Sequence, residues 1–166
     1  MSAFATCDLY DDFEATAQVA DLPLQDLGRR TRFFGPIATV KCFEDNSRIK
    51  ELSETPGEGR VLVVDGGGSR RCALVGDVIA GGFARNGWAG IVVNGFVRDR
   101  AQMAELELGL KALGTTPRKS VRRGEGQVGL ELRFGGVTWR DGDVLFADED
   151  GVLVLTREEA ETISRA

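Results

Sequence analysis

An arginine beside an aspartate, Arg98-Asp99 in "NGFVRDRAQM", follows the apolar run "WAGIVV", where a buried strand should end. A planar guanidinium offers a fork of donors to a carboxylate or enolate oxygen, and a carboxylate is a hard ligand for a divalent cation. Upstream, "GDVIAG" puts Gly76 at a sharp helix entry and Asp77 in a capping position, which leaves the amides of Val78 and Ile79 as unpaired donors. Such a helix start binds carboxylates or phosphates. Capping alone would explain Asp77, and an ordinary charged turn would explain Arg98-Asp99. Their combination points further. In a strand-helix-strand unit, the loop before the helix and the loop after the second strand lie on one edge of the sheet and can face one cavity.

The elements needed to hold these groups are visible in the pattern. "RVLVVDGGGS" is a β-branched strand running into glycines, "GDVIAGGFARNGW" has apolar residues at 75, 78, 79 and 83, and "AGIVVNG" is a second buried strand. That is the rhythm of a parallel βαβ unit. Before it, "ATCDLYDDF" predicts a short helix capped by Thr6 or Asp8, "GPIATVKCF" alternates as a strand, and "EDNSRIKELSE" predicts a helix capped by Asp45 or Asn46. After it, "ELELGLKAL" reads as a strand with a helical alternative. "QVGLELRF", "GVTWR", "DVLFAD" and "GVLVL" read as strands broken by "GG", "RDGD" and "DEDG". "TREEAETISRA" closes as a helix behind a capping box, Thr156 to Glu159. The triple glycine lacks both the G-x-G-x-x-G spacing and a Walker lysine, so a tight turn is favoured over a nucleotide loop. The expectation is one α/β domain over residues 1–166, a βαβ core with additional antiparallel strands and helices on the faces.

Composition restricts the chemistry. The sequence has 166 residues and no histidine, which excludes Ser-His-Asp and Cys-His catalysis and HExxH zinc sites. Cys7, Cys42 and Cys72 are odd in number and widely spaced, so they read as small core hydrophobes. A net charge of -5 gives no long-range attraction to nucleic acid or anionic lipid, so an anionic ligand needs local positive groups. The clusters "GRRTR" (Arg29, Arg30, Arg32) and "RKSVRR" (Arg118, Lys119, Arg122, Arg123) read as solvated surface or substrate attraction. With no basic leader and no apolar span of membrane length, a soluble cytoplasmic protein without membrane or direct nucleic-acid contact is expected.

The stretches "TVKCFEDN", "VLVVDGGGS", "GDVIAGGFARNGWAGIVVNGFVRD" and "FGGVTWRDGDVLFADEDGVLVL" resemble, in order and over nearly the whole chain, the RraA family. This family includes regulator of ribonuclease activity A and the class II 4-hydroxy-4-methyl-2-oxoglutarate aldolases. Its signature, an aspartate, twenty intervening residues and Arg-Asp, is matched by Asp77 and Arg98-Asp99. The resemblance implies a swivelling β/β/α fold, a homotrimer or hexamer, and an active site between subunits. It further implies that Asp99 binds a divalent metal, Mg²⁺ or Mn²⁺, that Arg98 holds substrate, and that Asp77 holds metal-bound water. The backbone of Gly76, Asp77, Val78 and Ile79 would hold a pyruvyl carboxylate, with Asn46 lining the cleft.

The implied reaction is cleavage of 4-hydroxy-4-methyl-2-oxoglutarate or 4-carboxy-4-hydroxy-2-oxoadipate, or decarboxylation of oxaloacetate, each through pyruvate enolate. A Lewis-acidic cation suits it, and no histidine is required. A Schiff-base route through Lys41, Lys50, Lys111 or Lys119 ranks lower, since the sequence places none of them in an evident desolvated pocket. In the aldolases an acid stands three residues after the Arg-Asp aspartate, where this chain has Gln102, and a carboxylate comes from a C-terminal extension for which this chain is short. Both departures bear on aldol cleavage, which needs a base, more than on decarboxylation. The competing reading is a regulator that binds ribonuclease E by protein contact. The resemblance implies that this branch lacks the metal aspartate, so Asp99 favours catalysis.

Overall fold

The computed structural model describes residues 3–165. In chain order the elements are α1 (Thr6–Asp12), β1 (Gln18–Val19), β2 (Gln25–Asp26), β3 (Phe33–Lys41), α2 (Ser47–Ser53), β4 (Val61–Asp65), β5 (Ala73–Val75), α3 (Asp77–Arg85) and β6 (Gly90–Val97). There follow α4 (Arg100–Met103), β7 (Gly109–Thr115), β8 (Gln127–Val128), β9 (Leu132–Phe134), β10 (Val137–Trp139), β11 (Val144–Asp148), β12 (Gly151–Leu155) and α5 (Arg157–Arg165). A ten-stranded mixed sheet runs β1-β12-β11-β3-β4-β6-β7-β2, with β5 beside β6 and β8 beside β3, and β9 and β10 form a separate hairpin. The expected α/β class and βαβ core are therefore present: β4 and β6 are parallel neighbours, and α3 lies between them in sequence.

The strands β3, β4 and β6 form the parallel centre of the sheet. Their apolar runs are continuous because both faces are covered. Leu62, Val64, Ile91 and Val93 pack with Ile49, Ile79 and Phe83 on the side of α2 and α3. Val61, Val63 and Val92 face the opposite core with Leu132, Trp139 and Leu145. Even Thr39, which the alternation in "GPIATVKCF" assigns to a polar face, is fully buried, its hydroxyl bonded to the Leu130 carbonyl at 2.7 Å.

Several expectations need correction. Ala5, rather than Thr6 or Asp8, occupies the capping position of α1, and Thr6 turns inward to Asp148. Cys7 is exposed, whereas Cys42 and Cys72 are buried as expected. "ELELGLKAL" becomes a strand only from Gly109, and "QVGLELRF" splits into β8 and β9 around Gly129, whose φ of +84° breaks the extended run. The capping box of α5 forms as expected: the Thr156 amide donates to Glu159 and the Glu159 amide to the Thr156 hydroxyl. Among the described residues, no helix is long and apolar enough to cross a membrane.

The N-terminal helix is tied to the sheet through Asp148, only 2% exposed. Its carboxylate accepts the Thr6 amide and hydroxyl, each at 2.7 Å, and the Asp150 amide at 3.0 Å. Burial pushes this carboxyl upward, but these hydrogen bonds and the nearby Arg32 outweigh it and hold it below the usual carboxylate range. A depressed folded-state pKa stabilises fully above the unfolded value of about 4 and fades as pH falls through the lower folded value. Asp148→Ala is expected to lose about 3 kcal/mol in urea unfolding at pH 7. Asp148→Asn should also be less stable at pH 7, and its deficit relative to wild type should shrink below about pH 4.

Candidate active site

The site is assembled by β5, a three-residue strand with no clear sequence signal. It pairs in parallel with the end of β6, Ala73 opposite Phe96 and Val75 opposite Val97, and the Arg98 amide donates to the Val75 carbonyl at 3.0 Å. Strand β5 leads through Gly76 into α3, while β6 ends at Arg98-Asp99. The two motifs, separated by twenty residues in sequence, thus become neighbours at the strand ends.

Their contact is close. The Asp77 amide donates to Asp99 Oδ2 at 3.0 Å, so one of the free donors at the start of α3 is taken by the Asp99 carboxylate. A Cβ at position 76 would lie 2.9 Å from that same oxygen and 3.3 Å from Arg98 Nε, so a side chain there would push the Asp99 carboxylate off the Asp77 amide. Asp99 itself has φ 62° and ψ 44°, a left-handed conformation that aspartate tolerates better than most residues and that frequently marks functional sites. Arg98 Nε stands 3.9 Å from Asp99 Oδ2, and Arg98 Nη1 donates to the Pro117 carbonyl at 3.4 Å.

The capping role offered for Asp77 does not occur. Gly76 holds the cap position, and the Asp77 side chain makes no cap hydrogen bond. Val78 counted toward the apolar face of α3 in the sequence pattern, yet it is 79% exposed while Ile79 and Phe83 are buried. Asn46 sits at the start of α2 but does not cap it with its side chain, because that side chain donates to the Leu74 carbonyl at 3.1 Å and accepts from Arg122 Nε at 3.2 Å. It thereby links α2, β5 and the segment after β7.

A cleft of about 670 Å³ is lined by all the residues assigned a metal- or substrate-binding role from sequence: Asn46, Gly76, Asp77, Val78, Ile79, Arg98 and Asp99. Lys50, Lys119, Ser120, Arg122 and Arg123 complete its wall. Five cationic side chains thus face two carboxylates, an anion-attracting cleft on an acidic chain. The charge run "RKSVRR" was the signal for this wall, although it gave no indication of where the run would fold. The other basic run is spent on surface pairs, Arg29 and Arg30 with Glu107 and Arg32 with Glu149. Gln102 is exposed on α4 and does not line the cleft. Contrary to the sequence reading, Lys111 is deeply desolvated, but its ammonium is held by Asp26 and the Asp148 carbonyl, both at 2.8 Å, away from the cleft.

The donor set suits a hydrated hard cation. Among the described residues no group of three or more His, Cys, Asp or Glu side chains gathers to enclose a metal. Magnesium retains several waters and needs only one or two carboxylates, a number that Asp99 and Asp77 of this cleft could meet. The Asp77 amide on Asp99 Oδ2 is the kind of outer contact that orients a ligating carboxylate.

A mixed sheet with a basic, carboxylate-bearing cleft at its parallel strand ends defines an α/β protein whose cleft attracts anions. The chain belongs to the RraA-like family, whose model, described as Aldolase/RraA, matches residues 6–154. It is 54% identical over 149 residues to a protein of Alkalilimnicola ehrlichii, covering 90% of this chain and 92% of that one. To a protein of Laribacter hongkongensis it is 55% identical over 150 residues, covering 90% and 94%. Both relatives are provisionally named 4-hydroxy-4-methyl-2-oxoglutarate aldolases. Among solved structures, the RNA-processing inhibitor RraA from Thermus thermophilis matches with TM-score 0.89 at 42% identity, covering 93% of each chain. A Geobacillus kaustophilus protein described as an S-adenosylmethionine:2-dimethylmenaquinone methyltransferase matches with TM-score 0.91 at 45% identity, covering 93% and 96%. The expected RraA-like swivelling fold is thereby established.

The contact at Gly76 has a direct test. Asp99→Ala and Asp99→Gly should both release the Asp77 amide, seen as faster hydrogen exchange at that position. Asp99→Gly should be the more stable of the two by about 1 kcal/mol, because only glycine occupies the left-handed region without a Cβ penalty.

Proposed function

We propose that this chain is a divalent-metal-dependent lyase for pyruvyl substrates, cleaving 4-hydroxy-4-methyl-2-oxoglutarate or 4-carboxy-4-hydroxy-2-oxoadipate and decarboxylating oxaloacetate. The observation that carries the reading is Arg98-Asp99 held against the amide-bearing start of α3 inside a basic cleft. A bound Mg²⁺ or Mn²⁺ would act as a Lewis acid for the developing enolate charge and lower the pKa of a coordinated water. Asp99 is the ligand we assign to it, with Asp77 acting through water. The free amides of Val78 and Ile79 would receive the pyruvyl carboxylate, while Arg98 would bind the 2-oxo oxygen or its neighbouring carboxylate. Asn46, Lys119 and Arg122 stand ready for a second carboxylate, which favours dicarboxylic 2-oxo acids over pyruvate itself.

Aldol cleavage must remove the proton of the C4 hydroxyl, a task we assign to water held by Asp77. Decarboxylation requires no such base. Decarboxylase activity should therefore exceed aldolase activity. We place the protein in the cytoplasm as a homotrimer or hexamer. Methyl transfer has less support: the Gly66 and Gly68 amides of the glycine turn both donate to the Asn94 carbonyl, at 3.0 and 3.2 Å, and are not free for a cofactor. Inhibition of ribonuclease E is a second reading, favoured by the likeness to the Thermus inhibitor. Slower ribonuclease E cleavage in the presence of this protein would support it.

Oxaloacetate turnover with Mg²⁺, compared with turnover after chelation, tests the main reading. Pyruvate release is expected to depend on the cation and to fall at least about a hundredfold in Asp99→Ala. Arg98→Lys should raise KM about tenfold, since a point charge replaces a bidentate fork. Equal turnover by wild type and Asp99→Ala would remove Asp99 from the mechanism.

A further inference from the structure

The basic wall of the cleft has almost no secondary structure of its own. Residues 116–126 make only isolated bridges, with Lys119 beside Ala73 and Val121 beside Asp45. One edge is held by β5, where the Ala73 amide donates to the Arg118 carbonyl at 2.7 Å and the Ser120 amide to the Ala73 carbonyl at 3.1 Å. The other edge rests on the residues just before α2. The Val121 amide donates to the Glu44 carbonyl at 3.2 Å, and the Asn46 amide to the Val121 carbonyl at 3.3 Å.

Asp45 anchors that second edge. It is a fully buried carboxylate with no cationic side chain paired to it among the described residues. Oδ1 accepts the Ser47 amide at 2.9 Å and the Ser47 hydroxyl at 2.6 Å, and Oδ2 accepts the Arg123 amide at 2.7 Å. Ser47 Oγ in turn accepts the Gly124 amide at 2.8 Å. Leaving a charge buried is costly unless donors surround it, and here donors from the basic segment form part of that shell. Burial pushes the Asp45 carboxyl up, yet the Ser47, Arg123 and Glu125 bonds prevail and leave it below the usual carboxylate range, so it is anionic at neutral pH.

The position of Arg122 follows from this arrangement. Its neighbour Arg123 is pinned through the backbone by Asp45, and its own Nε reaches Asn46 Oδ1 at 3.2 Å inside the cleft. We propose that Asp45, through Ser47, is a positioning residue for specificity: it holds the Arg122-Arg123 backbone against Asn46 so that the cleft accepts the distal carboxylate of a dicarboxylic 2-oxo acid. This rests on the reading of the cleft as a 2-oxo acid site. Asp45 would touch no substrate. Its removal should affect ligands with a distal carboxylate and spare those without one.

The full chain carrying Asp45→Asn replaces one acceptor oxygen with a donor that faces backbone N–H groups. Affinities of wild type and variant are measured in Mg²⁺ for pyruvate, which has no distal carboxylate, and for 2-oxoglutarate, which has one and undergoes neither reaction. The expected result is about tenfold weaker 2-oxoglutarate binding with pyruvate unchanged, faster hydrogen exchange at Arg123 and Gly124, and a raised KM for oxaloacetate at nearly constant kcat. Equal loss for both ligands, or faster exchange with unchanged 2-oxoglutarate affinity, would overturn the proposal. Should Asp45→Asn fail to fold, Ser47→Ala is expected to show the same split at about threefold, and no split there would overturn it equally. Wild-type affinity for neither ligand would instead contradict the reading of the cleft, so the two failures remain distinct.

Discussion

The hydrogen bond from the Asp77 amide to Asp99 Oδ2, made beside a glycine whose missing Cβ leaves space for that carboxylate, is the contact on which this architecture turns. It draws on β5 pairing with the very end of β6, a left-handed residue at position 99, and a glycine at position 76 that leaves space for the Asp99 carboxylate. Each requirement has a cost: a three-residue strand must be held in place, and a non-glycine residue must adopt a conformation it disfavours. The result is a carboxylate seated at the positive end of a helix, with one oxygen bound and its guanidinium neighbour alongside. A flexible loop could supply the same groups but not their mutual placement.

Charge is distributed to the same end. The chain carries a net charge of -5, yet the cleft collects Lys50, Arg98, Lys119, Arg122 and Arg123. Segregation is achieved by pairing the remaining basic cluster with Glu107 and Glu149 on the surface, where ion pairs add little stability but neutralise field. A buried anion, Asp45, then holds the basic wall through the Arg123 amide, so that this anchor draws on the backbone of the wall and not on its guanidinium and ammonium groups. An anionic substrate would enter a field that favours it locally while the whole molecule remains acidic.

The strands of the sheet centre were legible because burial on both faces writes unbroken apolar runs such as "VLVV" and "GIVV". The capping box of α5 was equally plain, since its two side chains lie three residues apart and need nothing from the rest of the chain. Strand β5 was not, because "ALV" is too short to show a period and its existence depends on a partner twenty-three residues away. For the same reason the part played by "RKSVRR" could not be placed: its backbone partners, Glu44 to Ser47 and Ala73, are remote in sequence. Spacing brought Asp77 and Arg98-Asp99 into consideration, but the direction of the Asp77 side chain, free of the cap that its position suggests, is a tertiary outcome. Asn46 likewise has a capping position and a different use.

The central claim is that Asp99, oriented by the start of α3, holds a divalent cation at the mouth of a pyruvyl site. Titration with Mn²⁺, followed by the enhancement of water-proton relaxation, addresses it without reference to turnover. Wild type should bind one Mn²⁺ per chain, oxalate should then reduce the enhancement by displacing coordinated water, and Asp99→Ala should lose the binding. Indistinguishable Mn²⁺ binding by wild type and Asp99→Ala would contradict the account.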